Sequence, residues 1–127
     1  MNVKIFAVLG SVFGFLGVAI GAFAAHGLKN KLSSEMFQVF EVGVRYHMYH
    51  ALALFAVAWA ISVCHSNLIA ASGWFFTFGI FIFSGSLYAL ALSGVKVWGA
   101  LTPIGGLMFL AGWAALCFGF LKSLQSF

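Results

Sequence analysis

Charged side chains are scarce in this chain, and acidic ones are the scarcest. Only 6% of its 127 residues are Asp, Glu, Lys or Arg, and just two of these are acidic. A water-soluble domain keeps about a quarter of its residues charged, because it must cover its surface with groups that water solvates. The composition therefore excludes an ordinary soluble enzyme and predicts that most of the surface faces hydrocarbon.

The two acids, Glu35 and Glu41, also lie outside the long apolar runs. No nucleophile, base and orienting acid can be assembled around them, so we expect no enzymatic activity. Proton-coupled carriers typically bury an acidic residue inside a span, and this chain offers none there. A small transporter or channel, which four spans could form only as an oligomer, is therefore the third-ranked hypothesis.

Proline and cysteine are nearly absent. The single proline, Pro103, follows Thr102, a pair that predicts the start of a helix with threonine as its N-cap. Cys64 and Cys117 have no metal-type spacing, and no Cys or acid lies at such a spacing from a histidine, so we expect no metal site. We expect buried apolar thiols, with a disulfide between them as the less favoured alternative.

Long apolar runs are what the chain has in abundance. It is 64% hydrophobic, with a mean hydropathy of +1.12. Because about 20 apolar residues cross a bilayer, we predict four spans at about 5–25, 46–64, 68–92 and 103–121. Residues 34–45 place Phe37, Phe40 and Val44 at helical spacing among polar residues, which predicts an interfacial amphipathic helix that could continue into the second span through a bend at Gly43.

The predicted fold is a single all-α domain over residues 1–127, a four-helix transmembrane bundle with an interfacial helix between spans 1 and 2. Glycines at helical spacing support it, because small residues let helices approach closely in lipid. They form one face in the first span (Gly10, Gly14, Gly17, Gly21) and a seven-residue repeat in the last (Gly105, Gly112, Gly119). Gly27 can adopt a positive φ, so we predict that the first helix ends there. Small residues that face lipid would also suit a homo-oligomer or a membrane protein partner.

The basic residues indicate an orientation in the membrane. Four of them fall in or beside loops one and three and two on the opposite side: Lys29, Lys31, Arg45 and Lys96 against Lys4 and Lys122. The positive-inside rule then makes those two loops cytoplasmic in a multi-pass protein of the plasma (inner) membrane. Scattered cations favour membrane lipids, and no nucleic acid, as partners.

The first apolar run is longer than a signal-peptide core, so we expect it to be retained as a span. Trp113 lies in mid-span, and we expect it in the core.

Six polar residues gather near the end of the first span and the start of the second: His26, Glu41, Arg45, Tyr46, His47 and His50. Glu41 precedes Arg45 by four residues, an orientation that favours an ion pair. His50 is the most informative member, because an unpaired imidazole one turn inside an apolar run is costly. Such a cluster could bind a lipid phosphate, a quinone or haem. The alternative is that these side chains only anchor the bundle at the head-group layer.

We favour a non-enzymatic bundle that binds a lipid, a hydrophobic small molecule or a membrane partner through this cluster. No cofactor is expected under that interpretation. The second-ranked hypothesis, from another functional class, is a redox protein that holds haem or quinone at His26 and His50.

Three ordered motifs add a resemblance: GAFAAHGL at 21–28, GVRYHMYHAL at 43–52 and TPIGG at 102–106. The sequence resembles the YgdD/YwdK family of small bacterial membrane proteins, known as domain of unknown function 423. The resemblance implies a four-span inner-membrane protein and draws attention to His26, Tyr46, His50 and Pro103, but it implies no activity. Ala24 stands where glycine is expected and His47 where glutamine is expected. A ligand set implied by the family would therefore consist of His26 and His50 alone.

Overall fold

The computed structural model describes residues 2–125, and its regular elements in that range are all helices. They are α1 (Asn2–Phe23), α2 (Ser34–Val63), α3 (Asn67–Gly79), α4 (Gly85–Ser93) and α5 (Val97–Leu124). A π-helical turn, Ala24–Leu28, extends α1, and a second, Ile80–Ser84, joins α3 to α4. The result is four rods long and apolar enough to cross a membrane: Val3–Leu28, Ser34–Val63, Asn67–Ser93 and Val97–Leu124. The predicted all-α, four-span bundle is confirmed.

The amphipathic segment 34–45 is the first part of α2 and not a separate helix. The Ser33 hydroxyl caps this helix by accepting a hydrogen bond from the Met36 backbone N–H at 3.2 Å. A helix of 30 residues is about 45 Å long, which exceeds the hydrocarbon thickness of about 30 Å. The polar first turns of α2 therefore extend into the head-group layer.

Two predicted helix boundaries are wrong. Gly27 lies inside the π-helical turn, and Gly94, with φ 70°, is the glycine of positive φ in the described chain. Pro103 lies inside α5, which begins at Val97, so the Thr102–Pro103 pair does not start the helix. The proline ring removes only the hydrogen bond to the Gly99 carbonyl, a loss that membrane helices tolerate.

Both cysteines are free thiols, so the alternative of a disulfide is wrong. Cys64 is partly buried, whereas Cys117 is exposed on the outside of α5. The sequence-based prediction that both thiols are buried is therefore wrong for Cys117. Its surroundings in the membrane are acyl chains, which solvate a thiol about as well as a protein core does.

The glycine faces place α1 on α2 and α5 on the α3–α4 rod. A Cβ added at Gly10 would lie 3.0 Å from the Ala51 carbonyl oxygen, and one at Gly21 would lie 3.2 Å from Val44. Gly17 abuts Met48 and His47, while Gly14 has no atom within 4 Å of that position. In α5 the seven-residue repeat abuts Phe83, Phe76 and Ile69 in turn. The predicted close packing is present at every stripe glycine except Gly14.

The π-helical turn Ile80–Ser84 is held between α2 and α5. The Ser84 hydroxyl donates a hydrogen bond to the Gly43 carbonyl of α2 at 2.7 Å. On the other side, Gly105 of α5 lies against the Phe83 backbone, so closely that an added Cβ would be 2.7 Å from the Phe83 Cα. This sandwich fixes the direction in which the Phe83 side chain leaves the rod.

Candidate functional site

Five residues of the predicted cluster lie on α2 and occupy three separate places in the structure, and the sixth, His26, lies outside all three. His47 and His50 are buried, whereas His26, Glu41, Arg45 and Tyr46 are exposed. Because successive residues of a helix are rotated by about 100°, the five on α2 cannot share one face. They are divided among a core clamp (His47), a lateral groove (Tyr46 and His50) and an interfacial pocket (Glu41 and Arg45).

The core clamp consists of His47, Phe13 and Tyr88, which come from α2, α1 and α4. His47 Nε2 lies 2.8 Å from the Phe13 carbonyl oxygen, and Nδ1 lies 3.0 Å from the Tyr88 hydroxyl. A carbonyl can only accept, so Nε2 carries a proton. A charged imidazole is costly in this buried position, so we assign the neutral form, in which Nδ1 accepts a hydrogen bond from the Tyr88 hydroxyl. With both nitrogens bonded, the imidazole ties three helices together.

His50 is also held as one neutral tautomer. Its Nδ1–H donates to the Tyr46 carbonyl oxygen at 2.7 Å, and its Nε2 accepts from the indole N–H of Trp113 at 3.1 Å. The ring stacks on Phe109 with a centroid distance of 3.5 Å and an interplanar angle of 5°. A second proton on His50 would face the Trp113 N–H, with no acceptor there.

The structure does not bring His26 and His50 together as paired ligands. Both nitrogens of His50 are bonded, and an axial haem ligand needs one of them free. His26 is exposed beyond Gly21, which packs beside Val44. In this antiparallel register His26 lies roughly 15 Å along the helix pair from the level of His50. These residues do not fit a haem with two histidine ligands.

The lateral groove lies between α2 and α5 and has a volume of about 530 Å³. Its walls are mainly aromatic and aliphatic: Tyr46, His50, Phe83, Pro103, Phe109, Leu110 and Trp113, with Leu107 and Gly106 completing the lining. It opens on the outer surface of the bundle, where Leu107 and Leu110 are exposed. Tyr46 stands at the rim with its ring 4.9 Å from that of Phe83.

The interfacial pocket lies where the end of α1 meets α2. Its volume is about 230 Å³, and Gly21, Ala24, Glu41, Val44 and Arg45 line it. The prediction of an ion pair between Glu41 and Arg45 is wrong, because neither side chain forms an ion pair or hydrogen bond with another residue in the range 2–125. Both charges remain available at the head-group layer.

Comparison with known proteins identifies the family. The family described as protein of unknown function DUF423 matches residues 20–106. A UPF0382 membrane protein of Staphylococcus saprophyticus is 46% identical over 119 residues, which cover 94% of this chain and 98% of that protein. The UPF0382 membrane protein YwdK of Bacillus subtilis is 42% identical, over 95% of this chain and 99% of its own length. This chain belongs to the UPF0382 (DUF423) family.

Membership confirms the resemblance drawn from the three motifs. The UPF0382 inner membrane protein YgdD of Escherichia coli is 36% identical over 122 residues, 96% of this chain and 93% of that protein. Together with four membrane-spanning rods, these relatives make the chain a multi-pass protein of the plasma (inner) membrane. No solved structure matches it.

The motif residues of this UPF0382 protein meet at the groove. Pro103 and Gly106 of the third motif and Tyr46 and His50 of the second line it. Next to them, the Thr102 and Ser86 hydroxyls are hydrogen-bonded at 2.6 Å, which joins α5 to α4. His26 of the first motif takes no part in the groove, although it was predicted alongside His50.

Sequence reasoning missed Trp113 as a site residue. We expected it in the core, but it is 47% exposed and supplies the donor that fixes His50. A signal existed, because an indole N–H in the middle of a span, far from the interfacial belt, needs an acceptor. His50 was the buried acceptor without an assigned partner.

Proposed function

We propose that this protein is a non-enzymatic membrane bundle that takes one hydrophobic small molecule with a flat ring from the bilayer into the lateral groove. The observation that carries the proposal is the groove itself. Its volume of about 530 Å³ lies within the range of small-molecule sites, roughly 300–1,000 Å³. Its opening on the outer surface gives a ligand access from lipid without passing through water.

The groove walls favour a planar ring over an acyl chain alone. Phe83 and Trp113 present aromatic surfaces, and the buried ring of Phe109 lies behind them with its centroid 5.3 Å from that of Phe83. Flat rings gain stacking and edge-to-face contacts from such walls in addition to burial. On α5, Gly106 has no side chain, which leaves space beside Phe83.

The rim of the groove offers one polar contact. The Tyr46 hydroxyl makes no hydrogen bond with another residue in the described chain, whereas the polar atoms of His50 and Trp113 are already bonded. A ligand with an oxygen acceptor on or near its ring would therefore bond to Tyr46. This hydroxyl is a binding group, and both ring nitrogens of the neighbouring His50 are already hydrogen-bonded, which supports binding without chemistry.

A quenching experiment tests the groove directly. Trp59, Trp74 and Trp98 are replaced by Phe, so that Trp113 is the remaining tryptophan, and the protein is placed in lipid nanodiscs. Decylubiquinone, a short-tailed quinone that quenches indole fluorescence, serves as the probe. We expect saturable quenching with a defined Kd, which Tyr46→Phe weakens by a few-fold, since one neutral hydrogen bond contributes about 1 kcal/mol.

A matched pair of substitutions separates site binding from collisions in the bilayer. Gly106→Leu fills the groove, whereas Gly14→Leu adds the same side chain where no atom lies within 4 Å of the new Cβ. Saturable quenching should be lost in the first variant and kept in the second. Quenching that rises linearly with probe, equally in both variants, would overturn the proposal.

A further inference from the structure

The interfacial pocket carries two opposite charges that do not meet each other. Glu41 and Arg45 are one helical turn apart on α2, a spacing of about 5–6 Å between Cβ atoms. Both line the pocket, both are exposed, and neither has a charged or hydrogen-bonding partner among residues 2–125. This arrangement suits a ligand that itself carries a negative and a positive group a short distance apart.

We propose that the pocket binds the head group of a zwitterionic phospholipid with a primary ammonium, such as phosphatidylethanolamine. The Arg45 guanidinium matches two oxygens of the phosphate in a fork. The ammonium, which is joined to the phosphate by a two-carbon link, donates its N–H groups to the Glu41 carboxylate. The choline head group has no N–H to donate, and the phosphatidylglycerol head group has no cation for Glu41.

The position of the pocket fits a head group. It lies beside the polar first part of α2, a helix longer than the hydrocarbon is thick, and Gly21, Ala24 and Val44 form its apolar side. Gly21 keeps it open, because an added Cβ would approach Val44 to 3.2 Å. Lys29 and Lys31 of the neighbouring loop attract any anionic lipid through charge alone. Selection of the ammonium is the property that Glu41 adds to this general attraction.

Lipid retention measures the selectivity. The full chain is reconstituted in bilayers of equal parts phosphatidylethanolamine, phosphatidylglycerol and phosphatidylcholine with identical acyl chains, and retained lipid is counted by native mass spectrometry. We expect phosphatidylethanolamine to be enriched about tenfold over both others, the factor expected from one charge-assisted hydrogen bond. Enrichment of phosphatidylglycerol to the same degree would overturn the proposal, because it would show attraction by net charge alone.

Two variants and two controls assign the enrichment to the pocket. Glu41→Gln should lower the amount of retained phosphatidylethanolamine to that of phosphatidylcholine. Arg45→Gln should abolish the retention of phosphatidylethanolamine and of phosphatidylcholine. Glu35→Gln and Lys31→Gln make the same changes of charge outside the pocket and should keep the wild-type ratio of phosphatidylethanolamine to phosphatidylcholine. Equal losses in controls and pocket variants would refute the site. Gly106→Leu tests independence from the lateral groove, since it should leave the lipid ratio unchanged.

Discussion

Gly105→Ala is expected to lower the free energy of unfolding of the bundle by about 2–3 kcal/mol, at the upper end for overpacking. The added Cβ would lie 2.7 Å from the Phe83 Cα, which is backbone and cannot rotate away. That backbone belongs to the π-helical turn, and the hydrogen bond from Ser84 to Gly43 holds the turn from its other side. Either α5 must move outward or the turn must rearrange. Unfolding in mixed detergent and SDS micelles, followed by circular dichroism, measures the change.

Gly14→Ala is the matched control, because a Cβ there meets no atom within 4 Å. An alanine in a helix is favoured over glycine by up to about 1 kcal/mol, so this variant should be as stable as the wild type or slightly more stable. Equal destabilisation by both substitutions would show that the close approach of α5 to the π-helical turn is not what limits stability.

The architecture could be predicted from the sequence because hydrocarbon imposes a simple rule. Every backbone polar group in the bilayer must be bonded internally, so long apolar runs become helices and their number follows from length. The glycine faces were likewise visible as spacing. Their partners were not, because spacing on one helix says nothing of what lies opposite. Gly14, on the predicted face yet without a neighbour, illustrates the limit.

The helix boundaries were harder to predict, since they depend on packing. Pro103 is a good start signal in water, but here the apolar residues before it extend α5 back to Val97. The π-helical turn Ile80–Ser84 has no signature of its own in the sequence. Two contacts hold it in place: the hydrogen bond to the Gly43 carbonyl and the close packing against Gly105. Both glycines belong to other helices.

The candidate site was predicted as a set of residues but not as an arrangement. Helical spacing drew attention to residues 41–50, because local rules reach three or four positions along a helix. The partners that decide the role of each histidine are far away in sequence: Tyr88 is 41 residues from His47, and Trp113 is 63 residues from His50. No periodicity connects such pairs. What looked like one cluster is therefore three sites.

His47→Ala is expected to destabilise the bundle by about 2–4 kcal/mol, since it removes one buried and one partly buried hydrogen bond and leaves a cavity. The Phe13–His47–Tyr88 clamp loses its centre, and the Tyr88 hydroxyl loses its acceptor. His65→Ala, in the exposed loop between α2 and α3, should have no measurable effect. The same unfolding assay compares the two, and similar values for both would contradict the clamp.

His47→Gln distinguishes a neutral bridge from a titrating or ligating histidine. A glutamine amide can donate to the Phe13 carbonyl through its NH₂ and accept from the Tyr88 hydroxyl through its oxygen, which matches the neutral imidazole. It is also the residue that the family motif leads one to expect there. We therefore expect His47→Gln to retain most of the stability that His47→Ala loses. In the same unfolding assay, a loss of stability in His47→Gln as large as that in His47→Ala would contradict the neutral bridge.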